Sequence, residues 1–229
     1  MLYLASTSPR RRQLLRIGGW AFRVISAQVD ERPMTSERPF EYGLRVAKNK
    51  AQAAAAGLSS GIVVAADTIV IDPLADDKAI LGKPSDRLEA AMMLRRLRGR
   101  IHQVYTALAV IDAGCGFMLT DSCLTDVPMR NYTDEEIMAY IDTGDPLDKA
   151  GAYAIQHKGF HPVESFKGCF ANVMGLPLCH LNRTLIKMEI YPAIHLPTAC
   201  QSRLKYACPV CDQILGKEGN SDLELSPGS

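Results

Sequence analysis

The chain of 229 residues is long enough for one full domain, or for one domain with a small appendage. Its composition, with 47% hydrophobic and 22% charged residues, is typical of a globular protein with a large core. The formal net charge of +1 argues against an extended nucleic-acid surface or an acidic-membrane binder, and no apolar run approaches the roughly 18 residues of a membrane span.

The first part of the chain alternates apolar strands with amphipathic helices. In chain order, the predicted elements are a strand at residues 2–5, a helix from Ser8-Pro9 to Gly18, a strand at 22–25, a helix at about 40–56 and a strand at 62–66. Ser8 suits an N-cap and Pro9 suits the first helical position. The last strand is a continuous apolar run, as expected for burial on both faces, and Asp67 should end it.

The second part adds a long hairpin between helices. The predicted elements are a helix from Asp86 to Gly99, strands at 102–111 and 117–127 joined by a turn at 114–116, a helix from Thr133 to Gly144 and a last helix at 176–187. Asp86 and Thr133 each precede a glutamate at capping-box spacing. This order indicates an α/β fold in which helices flank a mixed sheet.

A hydroxyl-rich turn meets a basic helix start near the N-terminus. Ser6, Thr7 and Ser8 lead into three arginines at residues 10–12. Free N–H groups at a helix start, small hydroxyls and arginines together suit a phosphate chain. Cations at this end oppose the helix dipole, a conflict that a bound polyanion would resolve. A solvated basic helix start is the alternative.

Acidic residues follow two of the strand-like runs. Asp67 lies at the predicted carboxyl end of a buried strand, where open α/β sheets carry their sites. It could hold a divalent cation or act as a base toward water, and a turn aspartate is the alternative. Asp30 and Glu31 form an acidic pair that could help to hold a metal, although such pairs are common in loops.

Two lysines complete the candidate set. Lys83 lies between a glycine and a proline, which would shape the loop that presents its ammonium group. Lys50 lies on an amphipathic helix, where lysines usually face water. The glycine-rich phosphate-loop and dinucleotide motifs are absent from the sequence. His157 and His161 flank Gly159, so we do not expect a helix that presents both to one metal.

Taken in order, these segments resemble the Maf family of nucleotide pyrophosphatases. The matching landmarks are residues 4–11 (LASTSPRR), Asp30-Glu31, residues 47–51 (AKNKA), 65–68 (AADT), 82–84 (GKP), 140–156 (YIDTGDPLDKAGAYAIQ) and 173–178 (VMGLPL). Each landmark is weak alone, but seven in order are highly specific. The resemblance covers about residues 1–190, which leaves residues 191–229 as a C-terminal extension.

The resemblance implies a mixed α/β fold with two lobes around a central cleft, related to the inosine-triphosphatase-like enzymes and usually found as a homodimer. It also implies Mg²⁺ or Mn²⁺ and the release of pyrophosphate from a nucleoside triphosphate. Carried over by position, the residues that would bind the triphosphate are Ser6, Arg10, Arg11, Lys50 and Lys83. Asp67 would be the general base or the metal-linked carboxylate, and Glu31 would assist the metal.

The nucleotide preference follows from three positions. One branch of the family acts on dTTP and UTP, and another prefers 7-methyl-GTP and has tryptophan at the position of Arg10, where an aromatic ring can stack on the cationic base. Thr68 and Gln156 match the pyrimidine branch, and a glutamine amide can pair with uracil or thymine. We expect activity on dTTP and UTP, extending to modified pyrimidines such as 5-methyl-UTP or pseudo-UTP. The alternatives are a 7-methyl-GTP pyrophosphatase or a non-catalytic nucleotide-binding regulator of cell division or septum formation.

The seven cysteines fall into two groups. Four lie in apolar or strand-like stretches and are expected to be reduced core residues of a cytoplasmic protein: Cys115, Cys123, Cys169 and Cys179. Cys208 and Cys211 have the spacing of half a zinc site, for which His195 or Cys200 could supply further ligands. Because the second pair of ligands is missing, a flexible or loosely packed extension is favoured over zinc.

Overall fold

The computed structural model describes residues 1–72, 74–75 and 79–216, and its centre is a mixed six-stranded sheet. The strands are β1 (Leu2–Ala5), β2 (Phe22–Ile25), β3 (Ile62–Ile71), β4 (Ile80–Leu81), β5 (Ile101–Asp112) and β6 (Met118–Pro128). Their spatial order is β2-β1-β3-β5-β6, with β4 paired to β3. β1 runs parallel to β2 and β3, whereas β5 is antiparallel to β3 and β6. The predicted class, a mixed sheet flanked by helices, is confirmed.

Eight α-helices lie among the described residues. They are α1 (Pro9–Ile17), α2 (Pro39–Ala55), α3 (Arg87–Leu97), α4 (Asp134–Asp142), α5 (Phe170–Val173), α6 (Leu178–Ile186), α7 (Leu196–Leu204) and α8 (Cys211–Leu215). Single 3₁₀ turns follow α4 at Asp145–Asp148 and Ala150–Ala152. None of these helices is both long and apolar enough to cross a membrane. The predicted caps Ser8, Asp86 and Thr133 each accept a backbone N–H from the first helical turn.

β3 is longer than predicted, and Asp67 does not end it. The strand continues to Ile71 because apolar residues resume after Thr68, so the polar pair is an interruption within one strand. β1 is the strand that ends here: its last pair with β3 is Leu4 with Val64, and β4 joins β3 only at Val70. The middle of β3 therefore has no strand neighbour on that side among the described residues.

Helices cover both faces of the sheet. On one face, small side chains of α2 pack against small side chains of β3 and β5, and the set is Ala47, Ala51, Ala54, Ala65, Ala107 and Ala109. On the other face, α1, α6 and α7 bury leucines such as Leu14, Leu181 and Leu185. Alanine on alanine allows the backbone of α2 to lie close to the strands, which brings polar side chains at the border of this face within reach of β3.

A second lobe forms where β5 begins and β6 ends. Leu94 and Leu97 of α3 and Ile137 and Ile141 of α4 are buried there, against Val104 and Val127 of the sheet. The 3₁₀ turns after α4 join this cluster and approach the start of α1 in the first lobe, where Asp148 meets Arg10. The predicted cleft between two lobes lies at this approach.

The described part of the C-terminal extension packs against the first lobe. Leu196 of α7 is only 1% exposed, and Cys200 joins the same core cluster as α1 and α6. Residues 191–216 therefore differ from the expected loose tail, because α7 carries apolar residues that cover the helices beneath it. The polar end of the extension, residues 217–229, lies outside the described residues, and a domain boundary near residue 190 stays a prediction.

The cysteines are all free thiols. Cys123, Cys169 and Cys179 are buried as expected, but Cys115 is exposed because it lies in the turn between β5 and β6. Within the ranges that the structure describes, no three His, Cys, Asp or Glu side chains are placed to hold one metal ion. The structure therefore gives no support for zinc at Cys208 and Cys211.

Candidate active site

A cleft with a volume of about 640 Å³ lies between the two lobes, within the usual size of a small-molecule site. It is bounded by the turn between β1 and α1, the middle of β3, the loop after β4 and the 3₁₀ turns after α4. All of the candidate substrate, metal and catalytic residues line it: Ser6, Arg10, Arg11, Glu31, Lys50, Asp67, Thr68, Lys83 and Gln156. Asp30 does not, since its carboxylate pairs with Arg32 on the exposed surface.

Asp67 faces α2 because alternate residues of β3 share a face. Ala65 and Ile69 pack in the α2 cluster, which places Asp67 between them on that side. The Nζ atom of Lys50, on α2, lies 2.8 Å from Oδ1 of Asp67 and 3.1 Å from Oε1 of Glu31. Lys50 therefore bridges two carboxylates in the cleft instead of facing water.

Tyr42 on α2 holds Glu31 in place and was not found from the sequence. Its hydroxyl donates to the Glu31 carbonyl oxygen over 2.8 Å. Burial, together with the charges of Asp67 and Glu31, raises the pKa of Tyr42 to about 12. The phenol therefore remains a hydrogen-bond donor at neutral pH. The only signal in the sequence that Tyr42 lies near the cleft was its position one helical turn before Val46 on the buried face of α2.

The turn between β1 and α1 presents the start of a helix to the cleft. The Ser6 hydroxyl accepts from the Ser8 N–H over 3.2 Å, and the Ser8 hydroxyl accepts from the Arg11 N–H over 3.5 Å. Ser6 is buried against the cleft, and Pro9 opens the helix. These hydroxyls therefore bond two of the N–H groups that were expected to be free, and anion binding at this turn stays a prediction. Arg10 reaches across the cleft mouth to Asp148, with 3.6 Å between Nη1 and Oδ2.

Arg11 is half-buried and held by two acceptors. Its Nε atom donates to the Gly175 carbonyl oxygen over 2.8 Å, and Nη2 donates to the Thr68 hydroxyl over 3.0 Å. Burial lowers the pKa of Arg11, and the negative charge of Asp67 opposes that shift. Thr68 and Asp67 point to opposite faces of β3, and the cleft meets both faces because the edge of β3 is free there.

Lys83 and Gln156 have polar groups available for a ligand. Lys83 is exposed in the loop after β4, and Gln156 is half-buried in the segment after the 3₁₀ turns. Neither side chain forms a hydrogen bond or an ion pair with any residue that the structure describes. Both line the cleft and can therefore bind a ligand without first losing a partner among the described residues.

The wall of the cleft opposite α1 carries charged residues that were seen in the sequence only as part of a landmark. Lys149 is 7% exposed, and its Nζ lies 2.9 Å from Oδ1 of Asp145 and 2.6 Å from Oδ1 of Asp148. Burial opposes ionisation of both aspartates, but hydrogen bonds to their carboxylates hold the pKa of each below its ordinary value. The signal available in the sequence was a lysine that follows one aspartate by four residues and another by one residue.

Glu31 and Asp67 are the candidate metal ligands, and they converge on one point. That point is occupied by the Lys50 ammonium group. Two carboxylates fall short of a complete protein site, in keeping with the absence of any three-residue set among the described side chains. They fit a hard divalent cation such as Mg²⁺, which takes its other ligands from phosphates and water. The cleft can thus bind a polyanion beside a carboxylate base.

Comparison with known proteins agrees with this chemistry. The sequence model of the family described as "Maf-like protein" matches residues 1–188. A protein of Dehalococcoides mccartyi strain CBDB1 named dTTP/UTP pyrophosphatase is 42% identical over 193 residues, which cover 84% of each chain. A protein of the same name from Pelotomaculum thermopropionicum is 43% identical over 81% of this chain and 95% of its own. The corresponding protein of Geobacter sulfurreducens is 43% identical over 79% of this chain and 92% of its own.

Proposed function

The chain belongs to the Maf-like protein family, and we propose that it hydrolyses nucleoside triphosphates, dTTP and UTP first among them, to the monophosphate and pyrophosphate. One observation carries this proposal: the side chains of Arg10, Arg11, Lys50 and Lys83 line the same cleft as the carboxylate of Asp67. Cations suit the triphosphate, and a carboxylate beside them suits the removal of a proton from water.

The reaction is the attack of a water molecule on the α-phosphorus. The bond from the water oxygen to the α-phosphorus forms as the bond from that phosphorus to the bridging oxygen of the β-phosphate breaks. Asp67 accepts a proton from the water, and pyrophosphate departs with the bonding electrons. Lys50, 2.8 Å from Asp67, fixes the orientation of the carboxylate.

Charge accumulates on the phosphoryl oxygens and on the departing pyrophosphate. The Arg11 guanidinium, held by two acceptors inside the cleft, offers its remaining N–H groups without reorganisation. The Ser6 hydroxyl and the backbone N–H of Arg10 at the start of α1 bind phosphate oxygens, and the Arg10 and Lys83 side chains add positive charge from the lining of the cleft. A Mg²⁺ or Mn²⁺ ion held by Glu31 and Asp67 would supply further neutralisation of the phosphate charge.

The pyrimidine preference rests on the side chains near the mouth of the cleft. The named relatives are dTTP/UTP pyrophosphatases. Position 10 is arginine, so the aromatic platform that would stack on 7-methyl-guanine is missing. The amide of Gln156, which has no partner among the described residues, can pair with the donor and acceptor edge of uracil or thymine.

The first test is direct measurement of pyrophosphate and monophosphate from a nucleotide panel that includes 7-methyl-GTP, with Mg²⁺ or Mn²⁺. We expect pyrophosphate from dTTP and UTP. Cleavage of 7-methyl-GTP alone would keep the reaction but contradict the nucleotide preference. Tight binding of nucleotides with no pyrophosphate from any of them would favour the non-catalytic regulator.

Asp67→Asn tests the mechanism. We expect the variant to keep the fold and to lose turnover by a factor of about 10² or more, since loss of a positioned base costs roughly 10²- to 10⁴-fold. The matched control is Asp30→Asn, because Asp30 is an acidic residue outside the cleft. Turnover of Asp67→Asn within about twofold of wild type, at an equal melting temperature, would remove Asp67 from the mechanism.

Association into a homodimer, a cytoplasmic location and the absence of nucleic-acid partners stay predictions. The edge strand β6, with Leu124 46% exposed, is compatible with association, because long exposed edges commonly pair with another chain. The near-neutral net charge of +1 supports the absence of a nucleic-acid partner. Light scattering on the purified protein would measure the oligomeric state.

A further inference from the structure

Two hydrogen-bonded threonine hydroxyl groups lead from Arg11 into the core. The Thr68 hydroxyl, which accepts from Arg11, lies 3.0 Å from the hydroxyl of Thr106, its direct partner in the pairing of β3 with β5. The Thr106 hydroxyl in turn lies 3.2 Å from the backbone carbonyl oxygen of Asn172, in α5. Thr106 and Asn172 are fully buried and do not line the cleft.

The hydrogen bonds along this series of hydroxyl groups can run in only one direction. A guanidinium can only donate, so the Thr68 hydroxyl accepts from Arg11 and is left to donate its own proton to Thr106. Thr106 then donates to the Asn172 carbonyl oxygen, which can only accept. Each hydroxyl accepts once and donates once, so the Thr68 lone pair stays turned toward Arg11.

The far end of this series of hydroxyl groups is fixed by Asn172. Its Nδ2 atom donates to the Val104 carbonyl oxygen over 3.1 Å and to the Thr125 hydroxyl over 2.9 Å, which ties α5 to β5 and β6. Three residues later, Gly175 adopts a φ of +107° and turns its carbonyl oxygen toward Nε of Arg11. A side chain at this glycine would contact Thr68 and Arg11 at 3.3 and 3.4 Å. One short segment thus supports both acceptors of the guanidinium.

We propose that Thr106 and Asn172 are positioning residues that set the Arg11 guanidinium for the pyrophosphate part of the substrate. The inference rests on the proposed function, since it takes Arg11 to bind phosphate. It also gives Thr68 a role through Arg11. An unsupported guanidinium in this cleft would turn toward Asp67, whose charge already acts on it. The series of hydroxyl groups and the Gly175 carbonyl hold it away from that carboxylate.

Thr106→Val tests the proposal, because valine keeps the shape of threonine and removes the hydroxyl. We expect the dissociation constant of magnesium pyrophosphate and the KM for UTP to rise about tenfold. That change corresponds to the loss of one well-aligned hydrogen bond from Arg11 to a phosphate oxygen. Thr106→Ser, which restores the hydroxyl, should stay within about twofold of wild type. A purely structural defect would lower the active fraction, and hence kcat, without changing either constant.

A double-mutant cycle with Arg11→Met isolates the coupling. In that background Thr106→Val should cause no further loss of pyrophosphate binding, measured by isothermal titration calorimetry. Thr184→Val is the matched control, because Thr184 is a buried threonine whose hydroxyl bonds the His180 carbonyl oxygen away from the cleft. It should leave the dissociation constant unchanged.

Four outcomes are distinguishable. The positioning role would be overturned if Thr106→Val weakened pyrophosphate binding equally with and without Arg11. It would also be overturned if Thr106→Ser bound pyrophosphate as weakly as Thr106→Val. Pyrophosphate binding by the wild type without hydrolysis of UTP would overturn the proposed function alone. No pyrophosphate binding by the wild type would overturn both. The expected pattern, a loss only when Arg11 is present, supports the positioning role.

Discussion

At the scale of single residues, the candidate site depends on the face of β3 to which each side chain points. Asp67 and Thr68 are adjacent in sequence and point to opposite faces, one to Lys50 and the other to Arg11. A one-residue shift in the pairing of β3 with β5 would exchange these partners. The long register from Ile62 to Ile71 fixes the choice, so the pairing of β3 with β5 sets the geometry of the cleft.

Another residue-scale consequence concerns pH. His102 is fully buried, its Nε2 lies 2.8 Å from the Tyr153 hydroxyl, and burial lowers the pKa of His102 to about 3. As the pH falls below about 6.5, His102 binds a proton in the unfolded chain but stays neutral in the folded protein. Stability is therefore lost as the pH falls below about 6.5, by about 2 kcal/mol from this group at pH 5.

His102→Gln should remove that part of the pH dependence while leaving an acceptor for Tyr153. The check is urea denaturation of the variant and the wild type at pH 7 and at pH 5. The variant should lose less unfolding free energy between the two values. The pKa of His180 is also lowered by burial, to about 4, so some pH dependence should remain in the variant. Identical losses for the two proteins would show that His102 does not resist protonation.

At the scale of secondary-structure elements, unequal strand lengths create the cleft. β1 ends at Ala5, after four residues, whereas β3 has ten. The turn of residues 6–8 and the start of α1 therefore lie beside the middle of β3 and not beyond its end. A ligand at the helix start can in this way reach side chains from both faces of β3.

The extension helix α7 is expected to contribute to stability. Leu196→Ala should lower the free energy of unfolding by about 2–5 kcal/mol, because the side chain is 1% exposed in the cluster formed with α1 and α6. Ile194→Ala is the control, since Ile194 is 44% exposed and its loss should cost about 0.5 kcal/mol or less. Equal, small effects in urea denaturation would mean that α7 does not pack on the core in solution.

At the scale of the whole molecule, positive charge is concentrated in the cleft of a nearly neutral protein. The net charge is +1, yet five cationic side chains line one cavity, against three anionic ones. A cleft with an excess of one sign of charge attracts ligands of the opposite sign, and salt screens that attraction. We expect the KM for UTP to rise several-fold between about 20 mM and about 500 mM NaCl, with less change in kcat.

The salt dependence should be local to the cleft. Lys83→Gln removes a cleft cation and should raise KM at low salt and flatten its salt dependence. Arg203→Gln removes an exposed charge on α7 and should change neither quantity. Steady-state kinetics of the two variants across the same salt series make the comparison. Equal behaviour of both would assign the effect to net charge and not to the cleft.

The sequence alone determined the longer elements, three helix caps and nine of the residues in the cleft. Periodicity and capping depend on near neighbours in the chain, so Ser8, Asp86 and Thr133 were predictable as N-caps. The site residues came from seven ordered landmarks, and the structure brings the nine named candidates to one cavity. Short elements such as α5 and β4 were missed because four and two residues show no period.

Only the tertiary structure decided how those residues act on one another. Lys50 could have faced water, and it became a bridge between Glu31 and Asp67 because the alanine face of α2 lies close to β3. Thr68 became a support for Arg11 because β5 places Thr106 directly opposite it. Such pairings join residues far apart in the chain, and register and packing set them, neither of which local sequence pattern encodes.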